Sequence, residues 1–134
     1  MTLIDNGLEI LSTEECHELL REGTIGRVAV TVAALPAIFP VNYALLDGRI
    51  VFRTGDGTKL RAAVERAVVA FQVDHIVEST ASGWSVMAVG LAEDITEPEE
   101  LLAAQRLGLR PFAAGDRSHF VGIRPEFLSG RRIV

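Results

Sequence analysis

Short apolar segments joined by tight turns run through most of the chain and constrain its fold more than any other feature. In residues 25–32, IGRVAVTV, apolar residues alternate with small or polar ones, as in a strand with one buried face. Asp47-Gly48 separates two further apolar runs and predicts a hairpin turn. Pro40, inside the second run, indicates an edge position or a bulge. Because so few residues connect consecutive strands, we expect antiparallel neighbours and a mainly β domain.

Helix signals interrupt these strands at three places. Ser12 with Glu15 forms a capping-box pattern that Gly23 terminates, and Thr96 with Glu99 forms a second one. The predicted elements are helix 13–22, strands 25–32, 37–46 and 49–54, helix 58–67, strands 68–76 and 84–95 with a loop at 79–83 between them, helix 98–108, and a final strand within 118–134 that turns near Pro125 and Ser129-Gly130. Six strands with few helices are expected to close into a small barrel, because closure removes exposed edges.

Length and composition bound the class of protein. The 134 residues predict one domain, 1–134, and the 49% hydrophobic and 23% charged content is typical of globular proteins. A single cysteine, Cys16, excludes an internal disulfide and favours a cytoplasmic location, as does the absence of a signal-peptide pattern. The net charge of −5 argues against nucleic-acid binding, and no apolar run is long enough to predict a membrane span.

Residues 51–60, VFRTGDGTKL, carry the most specific candidate site. A strand ends at Arg53-Thr54, a Gly-Asp-Gly turn follows, and Thr58-Lys59 begins a helix. Backbone N–H groups at a helix start attract anions, and glycines allow close backbone approach to a ligand. Arg53 and Lys59 would add charged contacts to a phosphate, although the P-loop spacing is absent. On local chemistry alone, a phosphate cradle and a solvated charged turn are equally supported.

The ordered set of segments resembles the pyridoxamine 5′-phosphate oxidase-like flavoproteins. The resemblance covers nearly the whole chain, through PVNYALLDGRIVFRT, GTKLRAAVERAVVAFQV, the Gly90-Leu91-Ala92 motif in WSVMAVGLAEDI, and IRPEFLSGRRI. The last segment is similar to the nitroimidazole-resistance-like and general-stress branch. The resemblance implies a six-stranded antiparallel split β-barrel with short flanking helices. It also implies FMN as the cofactor and a homodimer that holds the cofactor at its interface.

The same resemblance implies roles for individual residues. Arg53 and Thr54 match the strand end that reaches the FMN phosphate and ribityl chain, and Thr58 with Lys59 matches the phosphate-binding hydroxyl and basic residue. Leu60 stands where the family often has a second basic residue, for which Arg61 would substitute. The full set of implied cofactor-binding residues is Val41, Asn42, Tyr43, Arg53, Thr54, Thr58, Lys59, Arg61, Trp84 and Ser85.

The members of this set outside the turn have less specific roles. Val41, Asn42 and Tyr43 lie on the strand that would pass beside the isoalloxazine ring. Ser85 occupies the place of a flavin-bonding glutamine, and Trp84 would stack near the cofactor. Tyr43 and Trp84 are equally typical of core or interface aromatics.

The implied function is a flavin-dependent oxidoreductase that acts on an unassigned small molecule. Leu128 stands about where vitamin B6 oxidases carry an aromatic residue, which disfavours that substrate. Two alternatives stay open: a deazaflavin-dependent reductase on the same scaffold, and a flavin-binding or sensor module without turnover. His17, His75 and His119 lack metal-ligand spacing, so no metal site is predicted. A heme-binding split barrel is a third and weaker alternative, whose axial ligand would have to be one of these scattered histidines.

Overall fold

The computed structural model describes residues 3–110 and 118–133, and within them the chain is mostly antiparallel sheet. The strands are β1 (Leu3–Asp5), β2 (Leu8–Ile10), β3 (Ile25–Val32), β4 (Leu35–Leu46), β5 (Arg49–Gly55), β6 (Ala67–Val77), β7 (Ser82–Asp94) and β8 (Ser118–Ile133). The helices are α1 (Thr13–Glu22), α2 (Lys59–Ala63) and α3 (Pro98–Gln105), with a 3₁₀ turn at Glu78–Thr80.

Six of these strands form a closed ring. Its order is β8-β5-β4-β3-β6-β7, and β7 pairs back with β8. Every pairing is antiparallel, and the β1–β2 hairpin adds to β8 outside the ring. The predicted mainly β class, with six antiparallel strands and short flanking helices, is confirmed.

Alternation along the strands directs one face of the ring inward. The inward side chains form a buried apolar cluster that also includes Leu19 and Leu20 of α1. Its largest fully buried members are Phe52 and Phe71. A smaller cluster outside the ring joins α3 and its neighbours to β5 and β8 through Val51, Ile95, Ala104 and Phe120. The two clusters hold the helices against opposite sides of the same strands.

Several local predictions are confirmed. Ser12 and Glu15 form the expected capping box of α1. Asp47-Gly48 makes the β4–β5 turn with both residues at positive φ, 51° and 78°. Pro40 pairs with Arg27 of β3, whereas the β4–β5 ladder begins only at Tyr43. Pro40 therefore lies in an edge-like part of β4, where its missing N–H costs no ladder bond.

Both helix predictions after residue 57 need correction. The helix predicted at 58–67 ends at Ala63, because Arg66 adopts a left-handed φ of 52° and Ala67 already begins β6. The second capping box is wrong. Glu97 caps α3, since its carboxylate accepts hydrogen bonds from the backbone N–H groups of Glu99 and Glu100.

The turns predicted inside the last strand are also wrong. β8 runs without a break to Ile133, and the region near Pro125 holds a bulge, where Val89 pairs with Phe127 but Gly90 pairs with Pro125. A bulge tolerates proline because the ladder is already locally disrupted. Gly130 serves close packing instead of a turn, since a Cβ there would lie 2.8 Å from the Cys16 sulfur.

The structure also differs from the prediction at the 79–83 loop and at the N-terminal end of the described chain. Part of the predicted loop is the 3₁₀ turn, and β7 begins at Ser82. The β1–β2 hairpin was not predicted. Its signal is Asn6-Gly7, which adopts positive φ at both residues, 51° and 80°, as two-residue hairpin turns require.

Candidate functional site

An outward-facing row of side chains crosses the ring near the end of β5. Ser85 pairs with Asp74, and Ile25 pairs with Asn42. The β3–β6 and β4–β5 registers, continued by one or two residues, place Asp74 beside Ile25 and Asn42 beside Arg53. We call these five residues the outer row. It contains three of the predicted cofactor-binding residues, Ser85, Asn42 and Arg53, although three strand steps separate Ser85 from Asn42.

The turn between β5 and α2 is organised by its own side chains. The Thr58 hydroxyl donates a hydrogen bond to the Gly55 carbonyl at 2.9 Å and accepts one from the Arg61 backbone N–H at 3.0 Å. Gly57 has a left-handed φ of 73°, and a Cβ added there would meet no atom within 4 Å. The turn is therefore fixed from inside and open toward the surface at Gly57, while the Thr58 hydroxyl is occupied within it.

The two cations of this turn, Arg61 and Lys59, differ in whether a carboxylate pairs with them. Both terminal nitrogens of Arg61 donate to the Asp94 carboxylate on β7, with 2.5 Å between Nη2 and Oδ2. These hydrogen bonds hold the pKa of Asp94 below its ordinary value of 3.8 and raise the pKa of Arg61. Lys59 is exposed and makes no hydrogen bond or ion pair with the residues that the structure describes. The charge of Arg61 is neutralised within the protein, whereas that of Lys59 is available to a ligand.

Two further polar groups lie beside the turn. Asp56, inside the turn, contacts Nε2 of His119 on β8. Thr54 is only 2% exposed, and its buried hydroxyl has no hydrogen-bond partner in the described part of the chain. A buried hydroxyl without a partner is costly and uncommon, so this group marks the turn as a place where a ligand could complete the hydrogen bonding.

Arg53 and Asn42 both bind the chain that follows α3. One Arg53 nitrogen donates to the Leu109 carbonyl at 2.7 Å, and the guanidinium lies 5.1 Å from the centre of the Phe120 ring. The Asn42 amide donates to the Arg110 carbonyl at 2.9 Å. A cavity of about 360 Å³ lies between this chain segment and β4, lined in part by Thr24 and Asn42.

The remaining predicted residues are structural in this arrangement. Val41 and Tyr43 point into the ring, and the Tyr43 hydroxyl donates to the Leu20 carbonyl at 2.6 Å. Burial raises the pKa of Tyr43 to about 12, and its ring packs edge-on against Phe71. Only the backbone of these two residues is placed to meet a ligand outside the ring. Trp84 is partly buried against the core on β7.

Sequence reasoning missed the partners that organise the turn. The sequence pattern gives no signal that pairs Asp94 with Arg61 or His119 with Asp56, because each meets its partner only through the fold. Within residues 3–110 and 118–133, no three His, Cys, Asp or Glu side chains are placed to bind a metal ion. No helix in this part of the chain is both long and apolar enough to cross a membrane.

The fold and site together define a small β-ring protein with a cationic glycine turn at one strand end. The chain belongs to the pyridoxamine 5′-phosphate oxidase family, whose model matches residues 12–132. It is 40% identical to the uncharacterized protein Rv0080 of Mycobacterium tuberculosis, over 92% of this chain and 84% of that protein.

Solved structures of similar proteins cover almost the entire chain. The FAD binding protein from Mycobacterium smegmatis is 35% identical, with a TM-score of 0.80 over 92% of this chain and 96% of that chain. A FAD-binding protein from Mesorhizobium loti is 25% identical, with a TM-score of 0.75 over 95% of this chain and 99% of that chain.

Proposed function

We propose that this protein binds a flavin nucleotide, with the phosphate at the β5–α2 turn and the flavin ring along the outer face of β4. The observation that carries the proposal is the exposed ammonium of Lys59, which has no ion-pair or hydrogen-bond partner among the described residues and lies beside the open side of the turn at Gly57. Two proteins of similar fold, at 35% and 25% identity, are described as FAD binding, which supports a flavin as the ligand.

The donors at the turn fit a phosphate group. Lys59 supplies a cation, and the Thr54 hydroxyl is a buried donor that has no partner in residues 3–110 and 118–133. Arg61, in contrast, forms an ion pair with Asp94, so we assign it to stabilising the turn and not to binding phosphate. We therefore expect Lys59 and Thr54 to contact the ligand directly, together with Arg53 at the end of β5. Arg53 would exchange its hydrogen bond to the Leu109 carbonyl for one to the phosphate.

We propose FMN as the flavin, as the resemblance implied, with FAD as the second candidate. FAD is favoured by the two FAD-binding proteins of similar fold. It is also favoured by a second cavity, of about 600 Å³, lined by His17, Arg21 and Asp47. This cavity shares Thr24, Tyr43 and Ala44 with the one beside Asn42, so the two are neighbours along β4, and a ligand longer than a mononucleotide could extend from one toward the other.

We further propose that the protein is an oxidoreductase. A bound flavin supplies the hydride-transfer chemistry, and the protein's part is to bind, orient and shield it. The cavity beside Asn42 borders the proposed ring position and is large enough for a small substrate. The described residues that line it include no carboxylate or histidine, so none of them supplies a general acid or base.

The outer face also carries an apolar patch suited to a second copy of the chain. Paired positions on five neighbouring strands place Phe127, Val89, Ala70, Ala29 and Ile38 in one line. Phe127 is 70% exposed and Ile38 is 68% exposed, and a patch of this kind marks a protein interface. Because this line lies four residues along β3 from the outer row, we propose a homodimer with the flavin near its interface.

Sedimentation equilibrium tests the dimer. Phe127→Lys is expected to convert a dimer into a monomer, because it places a charge in the apolar line. Leu102→Lys, at an exposed apolar position on α3, is the matched control and should leave the dimer intact. A native protein that sediments as a monomer, or a Phe127→Lys dimer, contradicts this part of the proposal.

The flavin is identified by releasing it. The purified protein is denatured, and the supernatant is analysed by mass spectrometry and by absorbance near ~450 nm, where oxidised flavins absorb. We expect FMN. Release of FAD would show that FAD, not FMN, is the cofactor. Release of a deazaflavin would favour the deazaflavin-dependent reductase instead. No ligand released and no flavin bound on titration would contradict the proposed function.

A further inference from the structure

Residues 107–110 are held against the outside of the ring by two neighbouring side chains. Asn42 on β4 donates to the Arg110 carbonyl, and Arg53 on β5 donates to the Leu109 carbonyl. The β4–β5 register places these two side chains next to each other. We call residues 107–110 the wall segment, because they form one side of the 360 Å³ cavity beside β4.

The wall segment has few other attachments in the structure. Leu107 and Leu109 pack against the small apolar cluster outside the ring. The backbone N–H groups of Leu107 and Gly108 bond back to the end of α3, the second over a long 3.4 Å. The two side-chain hydrogen bonds from β4 and β5 therefore fix how close the segment lies to the outer face.

The two donors differ in what a ligand would do to them. Arg53 is one of the residues that the resemblance assigns to the flavin phosphate and ribityl chain, and a guanidinium bonds a phosphate more strongly than a neutral carbonyl. Asn42 is a neutral amide, for which a phosphate offers no comparable advantage. A phosphate that draws Arg53 away from Leu109 would leave the Asn42–Arg110 bond as the remaining hydrogen bond between a sheet side chain and this segment, within the part of the chain that the structure describes.

We propose that Asn42 is a positioning residue that fixes the wall segment, and that Arg53 shares this task only until a phosphate-bearing ligand engages its guanidinium. The part that concerns Asn42 follows from the protein's own contacts. The part that concerns Arg53 rests on the proposed function. Asn42 thus shapes the cavity in which a substrate would meet the flavin, without itself reacting.

Hydrogen exchange measured by mass spectrometry tests both parts on the full chain, with and without saturating FMN. The variants are Asn42→Ala and Asn42→Leu, the second of which keeps the side chain's size and removes its donor. The matched control is Gln72→Ala, which removes an outward amide of β6 that bonds Asp74 and not the wall segment.

We expect both Asn42 variants to speed exchange in peptides covering the wall segment by about fivefold without FMN, the effect of losing one hydrogen bond. With FMN bound, the increase should be several times larger, because Arg53 no longer compensates. Gln72→Ala should leave exchange in these peptides unchanged in both states.

Unchanged exchange in both Asn42 variants would overturn the role of Asn42. An equal increase in the hydrogen-exchange rate with and without FMN would overturn the proposal that Arg53 leaves the Leu109 carbonyl when the ligand binds. Flavin absorbance is recorded on the same samples. If neither FMN nor FAD binds, the proposed function and the Arg53 part fail together, and the ligand-free comparison still decides the role of Asn42.

Discussion

The inner and outer faces of β4 and β5 perform different tasks, although they alternate residue by residue. On β4, Val41 and Tyr43 enter the core while Asn42 between them bonds Arg110. On β5, Phe52 is fully buried while the adjacent Arg53 bonds Leu109. Apolar packing inside the ring sets stability, whereas polar side chains with distant partners outside it build the site. Substitutions on the two faces should therefore be separable in their effects.

The largest effect is expected from Phe71→Ala, inside the ring. Phe71 is fully buried against Tyr43, and truncating a buried aromatic side chain costs about 3–5 kcal/mol. The adjacent outward variant, Gln72→Ala, loses one partly exposed hydrogen bond and should cost under about 1 kcal/mol. Urea unfolding of both variants measures the difference. Similar losses for the two would break the distinction between the faces.

A smaller effect is expected from Asp94→Asn, which breaks the ion pair behind the turn. The pair with Arg61 is partly buried, so its loss should lower the free energy of unfolding by about 1–2 kcal/mol at neutral pH. Because folding lowers the pKa of Asp94, the pair stabilises the protein above the ordinary value of 3.8. That contribution is lost as the pH falls below 3.8 toward the lower pKa that Asp94 has in the folded protein.

The pH dependence supplies the control for this prediction. The free energy of unfolding should be measured between neutral pH and about pH 3. The difference between the native protein and Asp94→Asn should shrink toward the acidic end, as the Asp94 carboxylate is protonated. A stability difference that stays constant down to the lowest pH would show that the Arg61–Asp94 ion pair is not its source.

The smallest effect on stability, and one of opposite sign, is expected from Thr54→Val. Valine has the same shape and removes a buried hydroxyl that has no partner among the residues the structure describes, so the ligand-free protein should be unchanged or up to about 1 kcal/mol more stable. Flavin affinity should fall if the hydroxyl bonds the ligand. Thermal unfolding without ligand and titration with FMN measure the two effects. A variant that is destabilised without ligand would show that the hydroxyl already has a partner.

Local patterns predicted most of the fold. The capping box at Ser12, the Asp47-Gly48 turn and the alternation in residues 25–32 each specify structure within a few residues. The errors arose where distant contacts decide. Gly130 resembles a turn residue, but it is needed because the Cys16 sulfur packs against it.

The site was less predictable than the fold for the same reason. The turn residues near Lys59 were identifiable because their spacing is local. The roles of Arg61 and Asn42 were not, because their partners Asp94 and Arg110 lie 33 and 68 residues away in sequence. A cation that binds a ligand and a cation that binds a carboxylate look the same until the strands are paired.

Calorimetric titration with FMN tests the central claim, that the β5–α2 turn binds a flavin phosphate, most directly. Lys59→Ala should weaken binding at least tenfold, about 1.4 kcal/mol, because it removes a cation of the turn that pairs with no described residue. Arg124→Ala, which removes an exposed cation of β8 on the strand segment paired with Leu91, should leave the affinity unchanged. Equal affinities for native protein and Lys59→Ala would contradict the assignment of the phosphate to this turn.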